Sequence, residues 1–318
     1  MKLKPKFLIG NEKVFVNFIE EINSDDRIGI ISHASDLDGI LSAILIEDIL
    51  NNKGIENISV EFIEQDSREL EPVIKNFKSK RVNKWIFTDL YINGFALKNF
   101  EELQTEFFEH VLLIDHHPIE PELKNNENII KNTTSYCSSL AIYLMGVDND
   151  FIEKDKFRKI VEAGAIAEYS FNDEDVLKWL KEEYSGFSIE KRYDFPPGKF
   201  CKQLVSTIIY YRDDIKKAYE IIKNQDWKEV LRLHYLVQEE IEFEIQKAKK
   251  EIEYFPEKKL NFYYFNPKFR ITSVVATVLS DTKPKESFVI LSDIPKTVPL
   301  KVKISARNQK ATRDMNLL

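Results

Sequence analysis

The sequence predicts a two-domain α/β protein: a doubly wound, mostly parallel sheet in the N-terminal region and a smaller α/β domain at the C-terminal end, joined by a long helix. Three observations predict it. Short apolar runs alternate with helical periods from Ile28 to Ile114, the signature of βαβ units and a parallel sheet. Each acid-bearing segment directly follows such a run, and so falls on the carboxyl edge of the sheet, where open α/β folds bind ligands. Beyond Asp226 a long periodic stretch gives way to a second set of strands with one helix.

Residues 11–23 place Val14, Phe15, Phe18, Ile19 and Ile22 at helical spacing. Ile28–Ile31 reads as a buried strand, broken by a polar turn carrying His33, Asp36, Asp38 and Gly39. From Ile40 to Leu50 the helical period runs into Asn51-Asn52-Lys53-Gly54, a stop with Gly as the cap. Ile58–Ile63 is a second strand, Glu69–Lys80 a helix, and Lys84–Thr88 a third strand ending at Asp89. A helix over Leu97–Phe107 and a fourth strand over Val111–Ile114 follow, the latter ending in Asp115-His116-His117-Pro118. Residues 135–146, 157–168, 173–182 and 200–223 read as helices, with Asp194–Gly198 a loop. Asp226 to Tyr254 is a single periodic stretch, about 40 Å long as a helix, and is expected to bridge two domains. Asn261–Phe265, Ser287–Leu291 and Leu300–Ile304 are strands, and Ser273–Ser280 a helix. The expected domains are 1–224 (a sheet region over 1–134 and a helical region over 135–224), a linker helix 225–256, and 257–318.

The 318 residues suffice for two cores, at about 150 residues per domain. Two cysteines, Cys137 and Cys201, give no disulfide framework and point to a reducing, cytoplasmic setting. No apolar run reaches the ~18 residues of a membrane span, and the opening Met-Lys-Leu-Lys-Pro-Lys lacks an apolar signal core. A net charge of −7 argues against a generally basic nucleic-acid binder but leaves room for a local basic groove.

A turn needs one Asp and one Gly for its geometry, so packing does not explain His33, Asp36 and Asp38 together. With Asp89, Asp115, His116 and His117, these residues form a set that strand ends bring together. Mixed carboxylate and imidazole donors suit a divalent metal such as Mn²⁺. There are enough donors for two ions sharing a carboxylate, an arrangement that activates a bridging water for phosphoester hydrolysis. Cys137 reads as a small buried residue, and His110 and His234 as surface and packing residues. Tyr263, Tyr264 and Phe265 alternate as an ordinary strand does, although they could stack bases.

With Asp115-His116-His117 in order after His33-x-x-Asp36-x-Asp38-Gly39 and Thr88-Asp89, the chain resembles the DHH phosphoesterase superfamily, and within it the archaeal RecJ-like nucleases. The resemblance implies one metal on His33, Asp36 and Asp89, and a second on Asp38, Asp89 and His116. It also implies His117 facing the substrate phosphate or leaving oxygen, and Asp115 orienting the histidine pair. Ala163-Gly164-Ala165-Ile166-Ala167-Glu168-Tyr169 resembles the family's fourth motif, with Glu168 where an Asp ligand to the second metal is usual.

The C-terminal region resembles the DHH-associated substrate-binding domain through Ser305-Ala306-Arg307. Lys301, Lys303, Arg307, Lys310 and Arg313 form an acid-free basic run, a backbone-phosphate groove or else a solvated strand edge. Ser305, Arg307, Lys303 and Lys310 are the substrate-binding candidates. The family's Gly-rich loop would follow, and the sequence stops before it at Leu318, so it is expected either to be truncated there or to lack that phosphate contact.

The resemblance implies a two-Mn²⁺ exonuclease (Mg²⁺ or Co²⁺ as substitutes) acting on single-stranded DNA, RNA or short oligonucleotides, with a replication or repair protein as a further partner. The alternatives are hydrolysis of a small phosphate or cyclic dinucleotide, and a weakly active or inactive replication scaffold.

Overall fold

The structure, a computed structural model, describes residues 3–65, 68–124, 126–295, 297 and 299–310. The chain divides into two compact units, Met1–Val205 with Asp214–Gln225, and Ser206–Asp213 with Asp226–Leu318. In chain order the first holds β1 (Phe7–Ile9), α1 (Glu12–Glu20), β2 (Ile28–His33), α2 (Leu37–Asn52), β3 (Ile58–Ile63), α3 (Leu70–Ser79) and β4 (Lys84–Thr88). These are followed by α4 (Gly94–Glu106), β5 (Val111–Asp115), β6 (Ile129–Asn132), α5 (Ser138–Asp148), α6 (Lys154–Ala167), α7 (Glu174–Glu183), α8 (Pro196–Tyr210, its last residues grouped with the second unit) and α9 (Ile215–Lys223).

The first unit's sheet has the order β1-β6-β5-β4-β2-β3, with β2 to β6 all parallel and β1 antiparallel at the edge. The order reverses between β2 and β4. That is the switch point at which two diverging connections open a crevice beyond the carboxyl ends. Buried apolar residues of β4 and β5 pack with Phe77 of α3 and Phe100 of α4 on one face. The opposite side is built around α2, which packs on α5 and α6. Nearly all of α2 is buried, from Leu37 to Ile46 without a break, so it reads as uniformly apolar rather than amphipathic.

The close fit of α2 to β2 depends on Gly39. A Cβ there would lie 2.2 Å from the carbonyl oxygen of His33. Gly164 plays the same part for α6, where a Cβ would stand 2.9 Å from Leu41 and 3.2 Å from Ser139 Oγ.

The second unit contains α10 (Trp227–Glu251), β7 (Glu253–Phe255), β8 (Leu260–Phe265), α11 (Thr272–Thr282), β9 (Ser287–Asp293) and β10 (Val302–Arg307). Its sheet has the order β10-β9-β8-β7, with only β8 and β9 parallel. Val237, Ile241 and Ala248 of α10 join Tyr263, Phe265, Val275, Phe288 and Ile290 in one core. The helix expected to run between domains is therefore a packed member of this unit.

Several local expectations are corrected. The loop expected over Asp194–Gly198 becomes a helix start at Pro196, since proline is tolerated in a first turn, where the missing N–H has no intrahelical acceptor. The single helix expected over 200–223 is two, α8 and α9. Strands β1, β6 and β7 were not anticipated. No helix among the described residues is long and apolar enough to cross a membrane.

Candidate metal centre

The centre is assembled by register. Ser32 pairs with Thr88 and Thr88 with Ile114, so β2, β4 and β5 end level with one another. His33 closes β2, Asp89 follows β4, and Asp115 closes β5. A buried hydroxyl pair locks the first two ends together: Thr88 Oγ1 donates to Ser32 Oγ at 2.7 Å, and Ser32 Oγ donates to the Gly39 carbonyl at 2.7 Å. Asp36 caps α2, accepting from Gly39 N at 3.2 Å.

Asp89 sits at the middle, fully buried, with a left-handed backbone at φ 55°. Its carboxylate lies 3.4 Å from His116 Nε2, 3.7 Å from His33 Nδ1 and 3.8 Å from His117 Nδ1. His33 Nδ1 is also 2.7 Å from Asp36 Oδ2. Two groups follow, each with ligand atoms within 4.8 Å of one another: His33, Asp36 and Asp89, and Asp89, His116 and His117. Asp89 is common to both.

The donor chemistry and its electrostatics fit divalent cations. His33 Nδ1, His116 Nε2 and Asp89 Oδ2 are buried with no aligned hydrogen-bond partner, an expensive state unless something else coordinates them. Desolvation and the Asp38 and Asp36 charges push the Asp89 carboxyl up to about 7. Desolvation disfavours charge on His33 and His116, yet the surrounding carboxylates raise both rings to about 10. The cluster thus carries excess negative charge that takes up protons, and a bound cation satisfies the same demand.

His116 Nδ1 faces the Thr134 carbonyl at 3.2 Å, which turns Nε2 toward Asp89. A ring nitrogen held by a backbone carbonyl is the usual way a histidine ligand is oriented. His117 Nδ1 meets Asp115 Oδ1 at 2.8 Å, and its Nε2 meets Gln65 Nε2 at 2.7 Å. Asp115 Oδ2 is paired with the buried Lys131.

Asp38 and Glu168 stand outside both groups. Asp38 is fully buried and accepts from Ser138 N at 2.7 Å, Ser139 N at 2.8 Å and Ser139 Oγ. It thereby anchors the start of α5, with Oδ2 3.8 Å from His116 Nε2. Glu168 caps α6, and its carboxyl is pushed well above the ordinary range by desolvation and by Asp36, Asp38 and Asp89, so it senses the cluster's charge. Ser138 also donates to Asp89 Oδ1 at 3.3 Å.

Sequence reasoning overlooked Ser138, Ser139, Lys131 and Gln65. A signal existed for two of these: Ser-Ser directly before an apolar helical run is helix-start chemistry. Cys137 is buried, and desolvation pushes its thiol well up, which suits the small packing residue expected.

In the second unit Lys303, Ser305 and Arg307 alternate along β10, opposite Ser292, Ile290 and Phe288 of β9, and so share one face. Ser305 is buried, whereas Lys303, Arg307 and Lys310 are exposed. Arg313 and the sequence up to Leu318 lie outside the described residues. Tyr263 and Phe265 are core residues, while Tyr264 is half-exposed and donates to Asp293 Oδ1 at 2.7 Å.

Residues 27–167 match the DHH family, N-terminal domain. No curated protein matches the chain in sequence. Among solved structures, the chain is similar in fold to RecJ from Thermus thermophilus in complex with Mn²⁺ (TM-score 0.60, 13% identity, 92% of this chain and 47% of that one). It thus spans about half the length of that protein. It is also similar to an exonuclease RecJ bound to manganese (TM-score 0.62, 14% identity, 92% and 81%). A third similar fold is CDC45 from Entamoeba histolytica (TM-score 0.59, 9% identity, 94% and 88%).

Proposed function

We propose, from the match of residues 27–167 to the DHH family N-terminal domain and the likeness in fold to RecJ, that the protein is a divalent-metal phosphodiesterase acting on single-stranded DNA, RNA or short oligonucleotides. One observation carries the reading: two histidine–carboxylate groups share Asp89 at the switch point of the sheet.

His33, Asp36 and Asp89 would hold one cation. Asp89 and His116, with Asp38 behind them, would hold the second; His117 Nδ1 is engaged by Asp115, which leaves His116 Nε2 as the ring atom nearest Asp89. Imidazole and carboxylate donors suit Mn²⁺, with Mg²⁺ or Co²⁺ as substitutes. When bound, such a pair supplies an activated water and neutralises charge on the phosphoryl oxygens. His117 Nε2 is the polar atom left to meet the substrate once Gln65 gives way. Lys303, Ser305, Arg307 and Lys310 would hold backbone phosphates, with Arg307 as the bidentate fork.

The test is hydrolysis of 5′- and 3′-labelled single-stranded DNA and RNA oligomers with Mn²⁺, beside Asp89→Ala. Release of mononucleotides that depends on metal and vanishes in the variant is the expected result. Turnover confined to mononucleotide-sized phosphates would redirect the reading to a small-molecule phosphoesterase. A second reading, a scaffold that binds a replication or repair protein without hydrolysis, is favoured by the position of Glu168 outside both groups. Binding of a replication protein by purified protein that binds no Mn²⁺ and hydrolyses none of these substrates would support it.

A further inference from the structure

We propose that Tyr169 is a stacking platform for one base of the substrate, set beside the metal centre by the end of α6 and backed by Arg192. This deepens the phosphodiesterase reading and rests on it for the nature of the ligand.

Tyr169 is held in a conformation that its residue type disfavours. It follows Glu168, the cap of α6, at φ 54° and ψ 28°, the left-handed position after a helix that glycine usually fills. A bulky side chain there is a backbone outlier, and such outliers cluster at active sites and ligand clamps. Glycine would end the helix at least as well, so the turn does not account for the ring. Nor does the core, because Tyr169 is 42% exposed.

The exposed ring is nevertheless fixed in place. Phe171, itself buried, meets it at 5.5 Å between centroids, tilted by 56°. The Arg192 guanidinium lies 5.4 Å from the Tyr169 centroid, 5.4 Å from that of Phe171 and 4.6 Å from that of Tyr193. It donates to the Ile189 carbonyl at 3.0 Å and pairs with no carboxylate among the described residues, so its positive charge stays uncompensated beside the ring. An immobilised, partly open aromatic ring backed by an arginine is a surface on which unpaired bases stack, whatever their identity, because every base has a π face.

The surroundings supply the ligand. Ser170, the next residue, accepts from Cys137 N at 3.3 Å. Ser138 follows Cys137; its N donates to Asp38 Oδ2 at 2.7 Å and its Oγ to Asp89 Oδ1 at 3.3 Å. The turn that carries the ring is thus tied, through the start of α5, to the carboxylate common to both ligand groups. A base attached through one sugar to a phosphate at the centre is the aromatic group such a ring would meet.

The probe is hexathymidylate with phosphorothioate linkages, which resist cleavage, bound to the full chain with Mn²⁺ and read by fluorescence anisotropy. A single abasic residue is placed at each position in turn. For the wild type, loss of one particular base should weaken binding by about 5- to 150-fold, the usual worth of a base–aromatic stack. Tyr169→Gly suits the left-handed turn and should melt within about 3 °C of wild type, while binding intact and abasic probes equally. Tyr169→Asn, also tolerated in that turn, repeats the comparison if the glycine variant does not fold. Tyr169→Phe keeps the ring and should keep the penalty.

A wild type that fails to bind the probe, or that shows no penalty at any position, overturns the proposal. So does a penalty that survives in Tyr169→Gly, the result expected of a ring that only packs. Hydrolysis of unmodified oligomers without a Tyr169-dependent penalty removes the platform and leaves the phosphodiesterase reading standing. A Tyr169-dependent penalty in a protein that hydrolyses nothing does the reverse.

Discussion

Gly39→Ala is the substitution that most directly tests how the sheet edge builds the metal centre. The new Cβ would fall 2.2 Å from the His33 carbonyl oxygen and 2.9 Å from His33 Cβ, where real contacts stay beyond 3.0 Å. Relief requires the first turn of α2 to move away from β2 by roughly an ångström, and overpacking of this kind costs about 1–3 kcal/mol. The same movement breaks the cap from Asp36 to Gly39 N, about 1 kcal/mol, and the buried bond from Ser32 to the Gly39 carbonyl, about 1 kcal/mol more. The total is about 3–5 kcal/mol. At about 2–4 °C per kcal/mol for a domain of this size, the melting temperature should fall by about 10 °C. Because His33 and Asp36 flank the moving turn and belong to one ligand group with Asp89, Mn²⁺ affinity should fall at least about tenfold. Scanning calorimetry of the metal-free chain and isothermal titration with Mn²⁺ measure the two effects. A melting temperature within about 2 °C of wild type, with unchanged Mn²⁺ affinity, would refute the claim that this glycine sets the site's geometry.

Three further outcomes follow from other regions of the fold. Desolvation would raise the Asp115 carboxyl, but the hydrogen bond from His117 and the charge of Lys131 hold it at about 2, below its ordinary 3.8. Its contribution is therefore complete above pH 3.8 and lost as pH falls toward 2; acid melts of the metal-free chain should lose a component in that window that Asp115→Asn lacks from the start. Ser139→Ala removes one hydroxyl donor from the buried Asp38; denaturant melts should show a loss of about 1–3 kcal/mol, and an unchanged midpoint would mean the two backbone donors suffice. Arg307→Ala should weaken oligonucleotide binding similarly for all sequences and reduce the salt slope by about one, whereas an unchanged slope in a fluorescence titration would remove Arg307 from phosphate contact.

What could be read in advance was governed by how strongly local physics dictates each element. Ile58–Ile63 and Lys84–Thr88 form strands with the expected bounds, because apolar runs closed by polar turns have few other solutions in a parallel sheet. That pattern also placed His33, Asp89 and Asp115-His116-His117 on one edge. Strand β6 escaped because Lys131 interrupts its apolar run, and the meaning of a buried charge depends on a partner sixteen residues away. Strand β1 is three residues long and exists through its pairing with β6, a contact that no local period announces. The length and periodicity of α10 suggested a bridge, but a period cannot say which neighbour receives the apolar stripe; here it is Tyr263, Phe265 and α11. The motif marks Asp38 as a ligand candidate, but no local pattern announces its three bonds to Ser138 and Ser139, which join positions about a hundred apart.

The left-handed backbone at Asp89 bears on how any mutational scan of this protein is scored. At φ 55°, asparagine, aspartate and glycine are tolerated, whereas other L-residues incur about 1–2 kcal/mol of backbone strain. Loss of activity in Asp89→Val or Asp89→Ala therefore sums two effects, a missing carboxylate and an unfavourable turn. Asparagine keeps the turn and deletes the charge, and glycine keeps the turn and deletes the side chain. Ranked together, those two substitutions report on chemistry, and their difference from alanine reports on the turn.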